Sequence, residues 1–177
     1  MTDILGGVLR GKKALVTGHT GFKGSWLCLW LAELGSTVHG YALEPPTVPS
    51  NFNASNVEAR LSRHLIADVR DQAALTSAVA DADPDVIFHL AAQPLVRESY
   101  RDPATTVSTN VVGTVNLLEA VRARNKPCVV LVVTTDKCYE NREWVFGYRE
   151  TDRLGGRDPY SMSKAVAELV VTSWRQS

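Results

Sequence analysis

The feature that most restricts the fold is a short apolar stretch that runs into a glycine-rich turn and then into a helical pattern. Residues 13–17 predict a strand, residues 25–34 predict an apolar helix, and Gly35 follows as a helix stop. Between them lie three glycines with the spacing Gly-x-x-Gly-x-x-Gly, at positions 18, 21 and 24. This order is typical of a dinucleotide-binding unit, because backbone N–H groups at a helix N-terminus attract a pyrophosphate. A glycine turn without a ligand is the alternative.

The same alternation of strand and helix continues along the chain. Helical patterns at 71–80 and 106–124 separate several apolar stretches. Further strands are predicted at 37–41, 65–67, 85–90 and 129–133, the last as a fully buried strand. We therefore expect one α/β domain over residues 1–177, with a doubly wound parallel sheet and helices on both faces.

Two polar stretches carry the candidate chemistry. Tyr160 and Lys164 lie four residues apart, so on a helix they share one face. A lysine charge beside a tyrosine lowers the pKa of the phenol from about 10, which makes Tyr160 a candidate general base for an alcohol. Residues 134–141 directly follow the strand at 129–133, where open α/β sheets bind ligands. A Tyr-x-x-x-Lys pair alone is a weak signal, since it also occurs by chance.

Composition excludes several classes of protein. The 19 Lys and Arg balance the 19 Asp and Glu, which argues against a nucleic-acid or anionic-membrane surface. Cys28, Cys128 and Cys138 form no Cys-x-x-Cys motif, so we expect free thiols in a reducing cytoplasm and no metal site. No apolar run is long enough to predict a signal peptide or a membrane span.

Together, these motifs resemble the extended short-chain dehydrogenase/reductase family, over residues 11 to about 167. The His19/Lys23 turn and the Asp136-Lys137 pair are similar to the branch that acts on CDP-sugars, since relatives acting on other nucleotide-sugars usually carry a glutamate in place of Lys137. The blocks that carry the resemblance are residues 16–26, 89–97, 109–114, 134–141 and 155–160.

The resemblance implies an NAD-dependent lyase, a nucleotide-sugar 4,6-dehydratase, with CDP-glucose as substrate. Tyr160, helped by Lys164, would deprotonate the sugar 4-hydroxyl, and Thr135 would hydrogen-bond the same group. Asp136 would protonate the hydroxyl that leaves from the 6-position, and Lys137 would abstract the 5-proton. Hydride then returns to the 6-position. The alternative for Asp136 and Lys137 is a solvated surface ion pair.

The resemblance also implies a Rossmann-like cofactor site. Asp68 and Val69 would contact adenine, and Ala91 and Ala92 the phosphates and ribose; alternatively, Asp68 only caps a helix and the alanines only pack tightly. The full set of implied cofactor residues is Gly18, His19, Gly21, Phe22, Lys23, Gly24, Asp68, Val69, Leu90, Ala91, Ala92, Thr109, Tyr160 and Lys164.

One position departs from the usual pattern. Many NAD-binding folds carry an acid roughly 20 residues after the glycines, which binds the adenosine ribose. Ala42 stands near that place, and the first acid is Glu44. The ribose contact is therefore expected to be absent or displaced, with loose binding of NAD and weak discrimination against NADP.

Members of the family continue beyond the length of this chain with a C-terminal lobe that holds the nucleotide-sugar. The resemblance therefore implies a Rossmann portion that lacks the substrate domain, within polysaccharide biosynthesis. It also implies a homodimer through the helices at 106–124 and 161–174, although their apolar stripes could instead face the sheet. The rival functions are a 4-epimerase or another 4,6-dehydratase of the same superfamily, and a non-catalytic NAD-binding module.

Overall fold

A five-stranded parallel sheet forms the centre of the protein. The computed structural model describes residue 5 and residues 7–177. The strands are β1 (Lys13–Thr17), β2 (Thr37–Ala42), β3 (Arg63–Ile66), β4 (Val86–His89) and β5 (Val129–Val132), in the spatial order β3-β2-β1-β4-β5. All neighbouring pairs are parallel. This confirms the predicted doubly wound α/β fold, in which the chain builds outward from β1 to one edge and then from β4 to the other.

The helices predicted at 25–34, 71–80 and 161–174 are present with ends that differ by up to three residues, whereas the one predicted at 106–124 is interrupted by a π-helical turn. Within the described residues the helices are α1 (Phe22–Glu33), α2 (Asn51–Ala54), α3 (Gln72–Ala82), α4 (Val96–Arg101), α5 (Pro103–Val107), α6 (Gly113–Arg124) and α7 (Pro159–Gln176). Short 3-10 turns cover Val57–Arg60 and Asp136–Cys138, and a π-helical turn, Ser108–Val112, connects α5 to α6. Side-chain caps explain where two of the helices begin. The Asp71 side chain accepts a hydrogen bond from the Ala74 N–H at the start of α3, and the Asp158 side chain accepts one from the Ser161 N–H at the start of α7.

Helices cover both faces of the sheet, as predicted. On one face, Ala14 and Val16 of β1 pack with Leu31 of α1. On the other face, Leu15 of β1 packs with Leu117 of α6 and with residues of α3. Successive residues of a strand point to opposite faces, so β1 contributes to both cores. Full burial of one such leucine stabilises the fold by roughly 1.5–3 kcal/mol.

The prediction that residues 129–133 form a fully buried strand is wrong. The strand ends at Val132, and Val129 and Leu131 remain 66% and 47% exposed. β5 is an edge of the sheet, and on the face that carries these two side chains α1 packs against β1 and β2. An apolar run shows that a strand can be covered on both faces, but it does not show which element covers it.

The segment between β5 and α7 is mostly irregular and carries the Thr135–Lys137 stretch. It is anchored where Tyr139 and Leu154 form an isolated antiparallel bridge. The Gly155 N–H donates to the Cys138 carbonyl at 2.9 Å. These contacts tie the beginning of the segment to residues 154–155, shortly before α7.

Candidate active site

The carboxyl ends of the strands surround a cavity of about 570 Å³. The loops after β1 and β4 both contribute to it, and these strands flank the point where the strand order reverses, which is where open α/β sheets bind ligands. All the predicted cofactor residues except His19 line the cavity: Gly18, Gly21, Phe22, Lys23, Gly24, Asp68, Val69, Leu90, Ala91, Ala92, Thr109, Tyr160 and Lys164. The structure therefore brings together residues that are up to 146 positions apart (Gly18 to Lys164).

The N-terminus of α1 opens into this cavity. Gly21 is its N-cap residue, with no side-chain cap, and the first turn contains no acidic residue. The first N–H groups of the helix therefore keep their partial positive charge, which favours an anion. Lys23 adds a full positive charge at the same wall.

The three glycines of the turn meet two different needs. Gly18 has φ +76°, and an added Cβ would lie 2.7 Å from the Ala91 nitrogen. At Gly24 an added Cβ would lie 2.1 Å from the Gly18 oxygen. Gly21, in contrast, has φ −74°, and its nearest contact would be the Gly18 oxygen at 3.3 Å. The fold itself requires Gly18 and Gly24, while Gly21 leaves the helix end open to a ligand.

His19 does not line the cavity, although it lies within the glycine turn. Its ring is fully buried and covers Gly40, where an added Cβ would lie 2.4 Å from His19 Cδ2. Its Nε2 lies 2.6 Å from His64 Nδ1. The side chain is thus directed into the protein, and only its backbone remains at the turn.

The ends of β2 and β3 form the wall opposite the glycine turn. Ala42 and Glu44 both line the cavity, so an acid is present two residues beyond the usual position. Asp68 accepts hydrogen bonds from Arg70 Nε at 2.9 Å and Nη2 at 2.6 Å, and these bonds lower the pKa of Asp68. The alternative that Asp68 only caps a helix is wrong, because Asp71 is the N-cap of α3.

A buried hydrogen-bond network fixes the helices around the cavity, and the sequence analysis missed it. The Asn110 side chain donates to Ser163 Oγ at 2.9 Å and to the Gln93 carbonyl at 3.1 Å, and its Oδ1 accepts from the Gln93 N–H at 2.8 Å. Because Asn110 is only 2% exposed, these bonds are shielded from water. They hold the loop after β4, the helix that carries Thr109, and α7 in register.

Tyr160 and Lys164 both reach the cavity from α7, as their four-residue spacing predicts. The Lys164 ammonium donates to the Val133 carbonyl at 3.0 Å. Burial lowers the pKa of Lys164 to about 8, and the negative charge of Glu168 acts in the opposite direction. Lys164 is therefore still mostly charged at neutral pH in spite of its burial.

The Thr135-Asp136-Lys137 stretch lies beside the cavity and is not part of its wall. The side chains of Asp136 and Lys137 are 82% and 58% exposed and form an ion pair at 3.6 Å. A hydrogen bond from Thr135 Oγ1 at 3.1 Å and the charge of Lys137 lower the pKa of Asp136. In this chain the pair has the geometry of a solvated ion pair, because no described residue covers it.

Several residues of the cavity wall are not among the cofactor residues that the sequence analysis predicted. Most lie at the end of a strand or within two residues after it, so the rule that ligands bind beyond the carboxyl ends of parallel strands could have identified them. They are Thr20, Ala42, Leu43, Glu44, Pro46, Ala67, Pro94, Val133 and Thr134. Among them, Thr134 donates a hydrogen bond from its Oγ1 to Glu168 Oε1 at 2.5 Å.

Two other kinds of site are absent from residue 5 and residues 7–177. In these residues no helix combines the length and the apolar character needed to cross a membrane. Nor do His, Cys, Asp and Glu side chains of the same residues form a group of three that could hold a metal ion.

The sheet order, the glycine turn and the Tyr160–Lys164 helix define a Rossmann-like protein of the extended short-chain dehydrogenase/reductase class. Comparison with known proteins then gives the family. The chain belongs to the family described as GDP-mannose 4,6 dehydratase, which matches residues 15–177.

Individual relatives agree with this class. The chain is 54% identical over 168 residues to the CDP-glucose 4,6-dehydratase of Salmonella typhimurium, covering 95% of this chain and 46% of the relative. It is 32% identical to the GDP-mannose 4,6-dehydratase of Yersinia enterocolitica, covering 94% and 46%. The crystal structure of the Brucella ovis UDP-glucose 4-epimerase in complex with NAD matches with a TM-score of 0.81 and 27% identity, over 94% of this chain and 49% of the epimerase. The chain thus spans about half the length of the relatives it matches.

Proposed function

We propose that the cavity at the carboxyl ends of the strands binds NAD. The observation that carries this proposal is the convergence of two features on one cavity: the uncapped N-terminus of α1, and the Tyr160–Lys164 pair of α7. The first suits a pyrophosphate, because its free N–H groups and Lys23 attract negative charge. The second suits the nicotinamide end, where an alcohol must lose a proton.

The substrate of the whole protein is proposed to be CDP-glucose, which a 4,6-dehydratase converts to the 4-keto-6-deoxy sugar. The support is the 54% identity to a CDP-glucose 4,6-dehydratase, compared with 32% to a GDP-mannose 4,6-dehydratase. The product would supply polysaccharide biosynthesis. A reducing cytoplasm suits this proposal, since Cys28, Cys128 and Cys138 are free thiols.

Each candidate side chain has a defined role in this reaction. NAD held in this cavity would supply a reversible hydride acceptor. Tyr160 takes the proton of the sugar 4-hydroxyl, and Lys164 stabilises the phenolate that does so. Thr135 hydrogen-bonds the same hydroxyl and holds it in place for proton transfer.

Elimination of water is assigned to Asp136 and Lys137. For this step the two side chains need surroundings different from those in this structure. Asp136 is ionised here, since its pKa is lowered, and a general acid must hold a proton. Lys137 is more than half exposed beside that carboxylate. The proposal therefore requires that substrate and further chain cover the pair, because desolvation raises the pKa of a carboxyl group and lowers that of an amine.

These separate roles of Tyr160 and Lys137 can be tested in a protein that has the full length of the relatives. Tyr160→Phe should abolish both the reduction of NAD and the formation of product. Lys137→Ala should still reduce NAD but lose about 10²- to 10⁴-fold in turnover, the usual contribution of a general base. The absorbance of reduced nicotinamide in a stopped-flow mixture with CDP-glucose distinguishes the two.

Tyr100→Phe is the matched control, since Tyr100 is 65% exposed on α4. It should behave as the wild type. Wild-type turnover by Lys137→Ala, or a failure of that variant to reduce NAD, would remove Lys137 from the elimination step. A non-catalytic NAD-binding module would show no reduction in any variant, and a 4-epimerase would release no 6-deoxy product.

A homodimer through α6 and α7 is also proposed. On α7, Met162 and Leu169 are 38% and 57% exposed and lie seven residues apart on one helix face. On α6, Leu118 is only 8% exposed, so that part of its apolar stripe faces the protein interior. The support for the dimer therefore comes mainly from α7.

A further inference from the structure

Beyond Tyr160 and Lys164, the same face of α7 carries a third ionisable side chain. Glu168 follows Lys164 by four residues, so the three side chains repeat at helical spacing. Lys164 and Tyr160 line the cavity, while Glu168 lies one turn behind them and is half-buried. Nothing in the proposed reaction uses its carboxylate.

The carboxylate of Glu168 is held two residues beyond the end of β5. Thr134 Oγ1 donates to Glu168 Oε1 at 2.5 Å, and Thr134 itself lines the cavity. Because the hydroxyl proton is directed to Glu168, the Thr134 oxygen presents only its lone pairs to the remaining space. The contact also joins α7 to the strand end that holds Lys164 through the Val133 carbonyl.

Glu168 also lies one helical turn from Lys164 on the same face of α7, and among the described residues the two side chains form no direct ion pair. The ammonium has three donors, and the structure gives it one protein acceptor, the Val133 carbonyl at 3.0 Å. Burial favours the neutral amine and lowers the pKa of Lys164 to about 8, and Glu168 acts against this effect. Two neighbouring titratable groups supply no such charge, because burial lowers the pKa of His89 on β4 to about 3 and raises the pKa of Cys138 after β5. Both groups are therefore neutral at pH 7.

We propose that Glu168 is a positioning residue of this site, which fixes the Thr134 hydroxyl at the end of β5 and serves as the counter-charge of the Lys164 ammonium. The proposal rests on the proposed function only in giving Lys164 a role in proton transfer from the substrate. It predicts that removing the charge of Glu168, while an acceptor for Thr134 is kept, changes the titration of Lys164.

The titration of Lys164 tests the charge effect without any turnover. The 177-residue chain is labelled with ¹³C at the lysine side chains, and the Cε shift of Lys164, assigned with Lys164→Arg, is followed by NMR against pH. Glu168→Gln keeps the size and an acceptor oxygen for Thr134 but removes the charge. It should lower the pKa of Lys164 by on the order of one unit.

Two further variants complete the series. Glu168→Asp keeps the charge and should retain most of the wild-type pKa of Lys164, which a purely steric role of the side chain would not predict. Glu58→Gln, an exposed substitution in the 3-10 turn at Val57–Arg60, is the control for net charge and should leave Lys164 unchanged.

An unchanged pKa of Lys164 in folded Glu168→Gln overturns the proposal. If Glu168→Gln does not fold, Glu168→Asp provides the test instead. This substitution keeps the negative charge, so a clear decrease in the pKa of Lys164 in that variant would overturn the counter-charge role. Failure of the chain to bind NAD would overturn the proposed function and leave the Lys164 titration unaffected. The two failures are therefore distinguishable.

Discussion

His19 is the residue whose position and environment differ most from expectation. It occupies the place of the second glycine in the commonest dinucleotide turn, yet its ring is buried over Gly40 and against His64. Phe52 completes the cluster, with its ring centroid 5.5 Å from that of His19. A histidine is compatible with this turn because its side chain leaves the cavity and enters the core.

The buried position of His19 makes the fold sensitive to acid. Burial, and then the neighbouring His64, lower the pKa of His19 from 6.5 to about 4. Between these values the unfolded chain binds a proton at this site that the folded chain does not, so stability rises with pH there. The contribution is fully present above pH 6.5 and is lost as pH falls towards 4.

We therefore predict that His19→Gln changes the slope of stability against pH. Between pH 6.5 and 4, the free energy of unfolding of the wild type should fall by up to about 3 kcal/mol relative to that of the variant. Urea unfolding at several pH values measures this difference. Parallel curves for the two proteins over that range would show that His19 does not titrate as described.

At the scale of elements, α7 connects the site to the surface. Its inner face carries Tyr160, Lys164 and Glu168, and Trp174 near its end donates to Glu119 of α6 at 3.1 Å. Its outer face exposes Met162 and Leu169. A homodimer would cover these apolar side chains and would hold α7 more firmly at the cavity.

The dimer predicts a clear result for charged substitutions on that face. Leu169→Lys should convert a dimer into a monomer, because an interface that buries a leucine cannot accept an unpaired ammonium without a large cost. Val145→Lys is the control, since Val145 is 93% exposed in the loop before α7. Light scattering at micromolar concentration gives the mass, and a monomeric wild type would contradict the proposal.

At the scale of the whole molecule, the parts of the fold that a local pattern determines could be predicted from sequence. The strand–glycine–helix unit has both its periodicity and its turn in one short segment, and the structure forms it with α1 beginning three residues earlier than predicted. The prediction for β5 failed on burial because covering a strand depends on elements far away in sequence. The Asn110 network and the contact of Glu168 also depend on residues far away in sequence. The partners of Asn110 lie 17 and 53 residues from it, and Thr134 lies 34 residues from Glu168.

For the candidate site, too, the features set by a local pattern could be predicted, and those set by distant residues could not. Most of the predicted cofactor residues follow strand ends, and thirteen of the fourteen predicted positions meet at one cavity. The direction of the His19 side chain could not be predicted, because it depends on the absence of a Cβ at Gly40. The exposure of Asp136 and Lys137 agrees with the solvated ion pair that the sequence analysis left open as their alternative.

The most direct test of the account is the binding of NAD to the 177-residue chain, measured by isothermal titration calorimetry with two matched substitutions. Gly21→Val places a branched side chain at the open end of α1, and Gly147→Val places the same side chain at a glycine with no atom near its added Cβ. We predict that the wild type and Gly147→Val bind NAD equally. Folded Gly21→Val should bind at least about 100-fold more weakly, a loss of roughly 2.7 kcal/mol. Equal affinity of the two folded variants, or no binding by the wild type, would contradict the assignment of the cavity to a dinucleotide.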